Sequence, residues 1–242
     1  MLTRSHTYDL KKSRNHWLHI CECGHQNADT VLMVHGAAGN QRNFLPQMKA
    51  LSEKYRVVAV DLRGHGRSPW PDPNASIHDF YLDLEELLDW LPPRFSLVAH
   101  SFGGYLGTRL AATHPDRVRH LALLNTARSI PRGLTYRMLE VMTPGADFVA
   151  GPQGFIAANA EVCKHLLGEV LQQWDCSPYY EKIQVPRLTV LGALDPLIPL
   201  EHGQQSARTF GGPVYTLPLG AHVCMWEAPA QVNAWLGELL AQ

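Results

Sequence analysis

The chain has 242 residues, 45% of them hydrophobic and 18% charged, with a formal net charge of -1. That balance suits a single globular α/β domain carrying an insertion, and without a polybasic run neither nucleic acid nor an anionic membrane surface is an expected partner. The N-terminus leads into polar Lys11-Lys12-Ser13-Arg14 with no apolar signal core, and the five cysteines are odd in number and irregularly spaced, so free thiols in a reducing cytoplasm are expected.

In chain order, Thr7 to Leu10 and Trp17 to Cys21 predict two short strands joined by the basic turn, an opening hairpin. Cys21, Cys23 and His25 alternate at strand spacing, but two sulfurs and one imidazole leave a zinc site incomplete, and no metal is expected. Val31-Leu32-Met33-Val34 is a continuous apolar run suited to a strand buried on both faces. It ends in His35-Gly36-Ala37-Ala38-Gly39. Phe44, Met48 and Leu51 follow at helical spacing. A second buried strand, Arg56 to Val60, closes with Asp61-Leu62-Arg63-Gly64-His65-Gly66-Arg67-Ser68. Ser76 with Asp79 three residues on predicts a capped helix, with Phe80, Leu84, Leu87 and Leu91 on one side and a stop at Pro92-Pro93.

The next stretch organises the chain. The strand-like run from Phe95 stops at Ser101, and a helix-like segment begins at Phe102, with Leu106, Leu110 and Ala111 recurring on one face. A serine squeezed between strand and helix sits on a tight turn that tolerates only small residues two places to either side. Ala99 and Gly103 occupy those places. Glycine is the usual residue at both, so Ala99 is a mild departure. Val118 to Leu124 forms a further strand ending at Asn125-Thr126. Residues 127–185 then break the strand–helix rhythm with Pro131, Gly133, Pro144, Gly145, Gly151, Pro152 and Gly154. Strands resume at Arg187 to Gly192, before Ala193-Leu194-Asp195, and at Val214 to Leu217, before Gly220-Ala221-His222. Trp226, Val232, Trp235, Leu236 and Leu239 predict a closing amphipathic helix.

Taken together, these segments resemble the α/β-hydrolase superfamily over nearly the whole chain. The resemblance implies a mostly parallel, doubly wound eight-stranded sheet with helices on both faces. It also implies a core of residues 1–126 and 186–242 with a small helical cap, 127–185, inserted over the active site. By position, Ser101 would be the nucleophile, Asp195 the acid and His222 the base of a triad in the order this fold uses. Asn125 falls where some branches carry the acid, but an amide cannot replace a carboxylate. The amides of Ala37 and Phe102 would form the oxyanion hole. His35, Asp61 and His65 are expected to brace loops rather than catalyse. In the cap, Phe148, Phe155, Trp174 and Tyr179 are candidate pocket residues, although packing on the main domain is the simpler role for any one of them. Arg128, Arg132 and Arg137 are expected on a solvated face.

The expected activity is hydrolysis of a small carboxylic ester, lactone or thioester through an acyl-enzyme, with water as second substrate and no cofactor. Two alternatives remain on the same residues: carbon–carbon hydrolase or lyase chemistry with the same triad, and a ligand-sensing protein with negligible turnover. A serine cannot form the alkyl ester of an aspartate-nucleophile dehalogenase or epoxide hydrolase. The oligomeric state and the natural substrate are not encoded in any motif.

Overall fold

In the computed structural model, which describes residues 3–10, 16–130, 158 and 160–242, the strands form one eight-stranded sheet of order β1-β2-β4-β3-β5-β6-β7-β8. The strands are β1 (Thr3–Leu10), β2 (His16–Cys23), β3 (Thr30–Val34), β4 (Arg56–Val60), β5 (Phe95–His100), β6 (Val118–Leu124), β7 (Arg187–Gly192) and β8 (Val214–Leu217). β1 pairs antiparallel with β2, and β2 antiparallel with β4; every later pairing is parallel. The expected eight-stranded, mostly parallel sheet is therefore present. The carboxyl ends of β3, β5, β6 and β7 line one edge, where open α/β sheets bind ligands.

Period-two alternation explains why apolar runs were required. On β3, Leu32 and Val34 join one core while Val31 and Met33 join the other; on β5, Leu97 and Ala99 oppose Val98 in the same way. A strand covered on both faces has no polar side to display. The first core is closed by α2 (Ile77–Glu86) and α3 (Phe102–Thr113), through Phe80, Leu84, Leu106 and Leu110. The second is closed by α1 (Leu45–Leu51) and the C-terminal helix, through Met48, Val232 and Leu236. Burying each such side chain stabilises the fold by roughly 1.5–3 kcal/mol.

Two local expectations need correction, and one helix adds to those expected. The Asp79 carboxylate accepts from the Ser76 amide at 2.8 Å and its hydroxyl at 2.7 Å, as a capped start should. However, α2 stops at Glu86 and tightens into a 3-10 turn over Leu87–Asp89, ahead of Pro92. The closing helix is two helices, because a residue before proline is pushed out of the helical region. Ala228 (φ -136°, ψ 59°) separates Cys224–Glu227, which holds Trp226, from Pro229–Leu240. An unexpected helix, Leu200–Phe210, buries mainly small groups, Gly203, Ser206 and Ala207, together with Phe210, so few large apolar residues mark it in the sequence.

β6 and β7 are neighbours and parallel, yet the segment joining them runs from 125 to 186, whereas a crossover needs only about a dozen residues. Its described part holds helix Ala160–His165 and turn-length pieces ending in Ser177–Tyr180. Residues 131–157 and 159, nearly half of the expected cap, lie outside the described residues. Cys21 and Cys23 are buried in the sheet core while His25 is exposed in the turn after β2. No helix among the described residues is long and apolar enough to cross a membrane.

Candidate active site

Ser101 joins β5 to α3 with φ 50° and ψ -119°, a backbone conformation that costs a non-glycine residue about 1–3 kcal/mol. The amide of Ser101 donates to Leu124 O at 3.0 Å, which fastens the turn to β6. Gly103 lies against the Val34 and His35 carbonyls, where a methyl group would collide. Ala99 is admitted by a vacancy eight residues away: a Cβ on Gly107 would stand 2.9 Å from the Ala99 methyl. Gly107→Ala is therefore expected to destabilise the fold by about 1–3 kcal/mol, and adding Ala99→Gly should restore most of it. Urea melts of both variants and the double variant check this; strict additivity would count against the contact.

The three residues expected to react together do converge. His222 Nε2 lies 3.0 Å from Ser101 Oγ, and His222 Nδ1 lies 2.8 Å from Asp195 Oδ2. The Asp195 side chain is 1% exposed and that of His222 16%, so the imidazole is the wetter of the two. Asp195 Oδ1 accepts from the Leu197 and Ile198 amides at 2.8 and 2.9 Å. Its Oδ2 also accepts from Asn125 Nδ2 at 2.7 Å. Burial pushes the Asp195 carboxyl up, but the hydrogen bond and charge of His222, the Ile198 amide and Asn125 outweigh it and hold the pKa below the ordinary value. An ionised carboxylate can only accept. Nδ1 of His222 must then carry the proton, which leaves the Nε2 lone pair facing the serine hydroxyl.

The loop expected to hold the oxyanion packs directly on this turn: a Cβ on Gly36 would come within 2.8 Å of Ser101 Cβ. Neither the Ala37 nor the Phe102 amide donates to an acceptor among the described residues. Two histidines brace the loop reciprocally. His35 Nε2 accepts from the Leu62 amide at 3.0 Å, while His65 Nε2, from the facing loop, accepts from the Ala38 amide at 3.0 Å. Asp61 organises that second loop by accepting from the Gln41 and Arg67 amides and from His19. Ser68 Oγ donates back to Asp61 O at 2.6 Å. His35, Asp61 and His65 thus serve the loops, as expected.

Burial lowers the pKa of His35, and carries those of His65 and His100 down to about 3. The unfolded chain would protonate these rings near pH 6.5, so below that pH it binds protons that the folded chain refuses, down to about 3 for His65 and His100. Stability from this source is complete above pH 6.5 and is lost as pH falls, by roughly a tenfold shift in the folding equilibrium per proton per pH unit. Asp61 and Asp195, both held low, add to the loss further into acid. The urea midpoint is expected to be flat from pH 7 to 8 and clearly lower at pH 5; equal midpoints at 5 and 8 would contradict it.

Trp174 and Tyr179 are packing residues in this structure. Trp174 is buried, donates Nε1–H to Ala127 O at 3.1 Å, and lies against Phe102 and Tyr105. Tyr179 meets the Tyr105 ring edge-on. Phe148, Phe155, Arg132 and Arg137 lie outside the described residues, and Arg128 is exposed. Three residues at the site take roles that the sequence did not assign to them. Asn125 touches Asp195; His100 Nε2–H donates to His222 O at 2.7 Å; Glu227 accepts the Ala221 amide at 2.5 Å. The only signal for them was adjacency in sequence to a strand end, to Ser101 and to Trp226.

The sequence profile described as alpha/beta hydrolase fold matches residues 29–162. A protein of Variovorax paradoxus that bears a carbamate-hydrolase name is 29% identical, over 93% of this chain and 96% of its own. The 3-oxoadipate enol-lactonase 2 of Acinetobacter baylyi is 26% identical over 94% of each chain. Among solved structures, the enol-lactonase from Burkholderia xenovorans LB400 is similar with a TM-score of 0.80 at 24% identity, over 94% of this chain and 97% of that one. That last likeness is one of fold.

Proposed function

The chain belongs to the alpha/beta hydrolase fold family, and from that premise we propose that it is a serine hydrolase acting on a small carboxylic ester, lactone or thioester. Its relatives support hydrolysis as the activity; a carbamate-hydrolase name and an enol-lactonase name both describe attack at an acyl carbon. The single observation behind the mechanism is the pair of contacts at His222, 3.0 Å to Ser101 Oγ and 2.8 Å to Asp195 Oδ2.

In this mechanism Ser101 Oγ attacks the acyl carbon as its proton passes to His222 Nε2. The Ala37 and Phe102 amides hold the tetrahedral oxyanion, a donor's loss costing about 3 kcal/mol. The carbon–leaving-group bond breaks and the leaving group takes the proton from His222. Water then gives a proton to His222 and its oxygen to the acyl carbon, and Ser101 departs with its hydroxyl restored. Asp195 stays ionised throughout and stabilises the transient imidazolium. Residues 127–185 would form a cap over this edge.

Glu227 accepts the Ala221 amide and so braces the backbone of the His222 loop, a contact that favours neither ester nor carbon–carbon cleavage. The test is a panel of nitrophenyl esters, lactones and thioesters assayed beside a fluorophosphonate that labels active serines. Labelling together with turnover of at least one class is expected. Labelling without turnover of any class would instead point to a ligand sensor.

A further inference from the structure

Asn125 follows β6 in the left-handed region, at φ 44°, and is fully buried. Its Nδ2 donates to Asp195 Oδ2 at 2.7 Å and to Ala221 O at 2.9 Å. Its Oδ1 is buried and finds no partner among the described residues. An unpaired buried carbonyl is costly, so the amide is held here for its two N–H bonds. Those two bonds join separate loops, one carrying the acid after β7 and one carrying His222 after β8.

We propose that Asn125 is a positioning residue that fixes the Asp195 carboxylate against the His222 ring. This rests on reading Ser101, His222 and Asp195 as one relay. The position makes three demands at once. The backbone needs a residue tolerant of positive φ, which means glycine, asparagine or aspartate in practice. Ala221 O and Asp195 Oδ2 need a donor each, which glycine lacks. A carboxylate neighbour forbids a second negative charge, which excludes ionised aspartate. Asparagine meets all three. Other contacts hold the backbone of the His222 loop: Glu227 to Ala221 N, His100 to His222 O, and Leu194 N to Gly220 O at 2.8 Å, which joins it to the backbone of the acid loop; among the described residues Asn125 is the side chain that ties the His222 loop backbone to the Asp195 carboxylate itself.

Two substitutions test the assignment, with kcat and KM measured on p-nitrophenyl acetate from pH 6 to 9 beside wild type and Ser101→Ala. Asn125→Gly adopts the same φ without strain, so its effect reports the lost donors; kcat is expected to fall about tenfold or more with KM within about twofold. Asn125→Asp sets two carboxyls in hydrogen-bond contact. While they share a proton the new group still donates to Asp195, and once it leaves the two charges repel. The ratio of variant to wild-type kcat should therefore fall steadily as pH rises, a dependence that simple loss of packing does not give. Should Asn125→Asp fail to fold, Asn125→Gly decides alone. Wild-type kcat in Asn125→Gly, or a variant-to-wild-type ratio for Asn125→Asp that is flat in pH, would overturn the positioning role. Hydrolysis surviving in Ser101→Ala would overturn the relay itself, whatever Asn125 does.

Discussion

Ser101→Ala should lower kcat on any ester the protein turns over by about 10^4-fold or more, while the urea midpoint stays near that of wild type. The loss is large because no nearby group can stand in for the hydroxyl. His222 Nε2 is aimed at Ser101 Oγ at 3.0 Å, and without that oxygen it has no nucleophile to deprotonate except water that is not held in line. The stability is spared because the turn is kept by backbone, through Ser101 N to Leu124 O and Gly104 N to Ser101 O at 2.8 Å. Thr126 Oγ1 adds a third tie to Ser101 O at 2.9 Å. Alanine keeps every one of these. Steady-state kinetics and a urea melt on the same preparation check both halves.

Asp195→Asn should be nearly as damaging, about 10^4-fold in kcat, although it changes a single atom. All four partners of this carboxylate are donors: the Leu197 and Ile198 amides on Oδ1, and His222 and Asn125 on Oδ2. An asparagine can accept on one side only. If its NH2 replaces Oδ1, it faces two amide hydrogens; if it replaces Oδ2, it faces the Asn125 NH2 and obliges His222 to present a bare Nδ1. The imidazole proton then moves to Nε2, toward the serine, where no base remains. A rate within tenfold of wild type at neutral pH would show that the carboxylate is not orienting the ring.

The sheet was legible because strands buried on both faces must be apolar throughout. Runs such as Val31 to Val34 and Leu121 to Leu124 are too short for a helix and suit a strand covered on both faces. The strained turn at Ser101 was legible for a related reason, since only small residues fit beside it. Less legible was the compensation for Ala99, because the space it uses is left by Gly107 on the next helix and no local pattern couples them. Pro229 was visible, yet the apolar periodicity from Trp226 onward runs across it and conceals the break at Ala228. The helix Leu200–Phe210 hid because it buries mostly small groups. Asn125 was seen and set aside as a carboxylate substitute; its use as a double donor depends on two loops that only the folded chain brings together. Of the proposed pocket, Trp174 and Tyr179 are accounted for by packing on α3, while Phe148 and Phe155 fall outside the described residues.

The most direct measurement is mass spectrometry of the intact protein and its peptides after brief mixing with an activated ester or a fluorophosphonate. A single adduct is expected on the peptide bearing Ser101, absent in Ser101→Ala and formed at least a hundredfold more slowly in Asp195→Asn. An adduct on another residue, or full turnover with Ser101 never modified, would contradict acyl transfer through this serine.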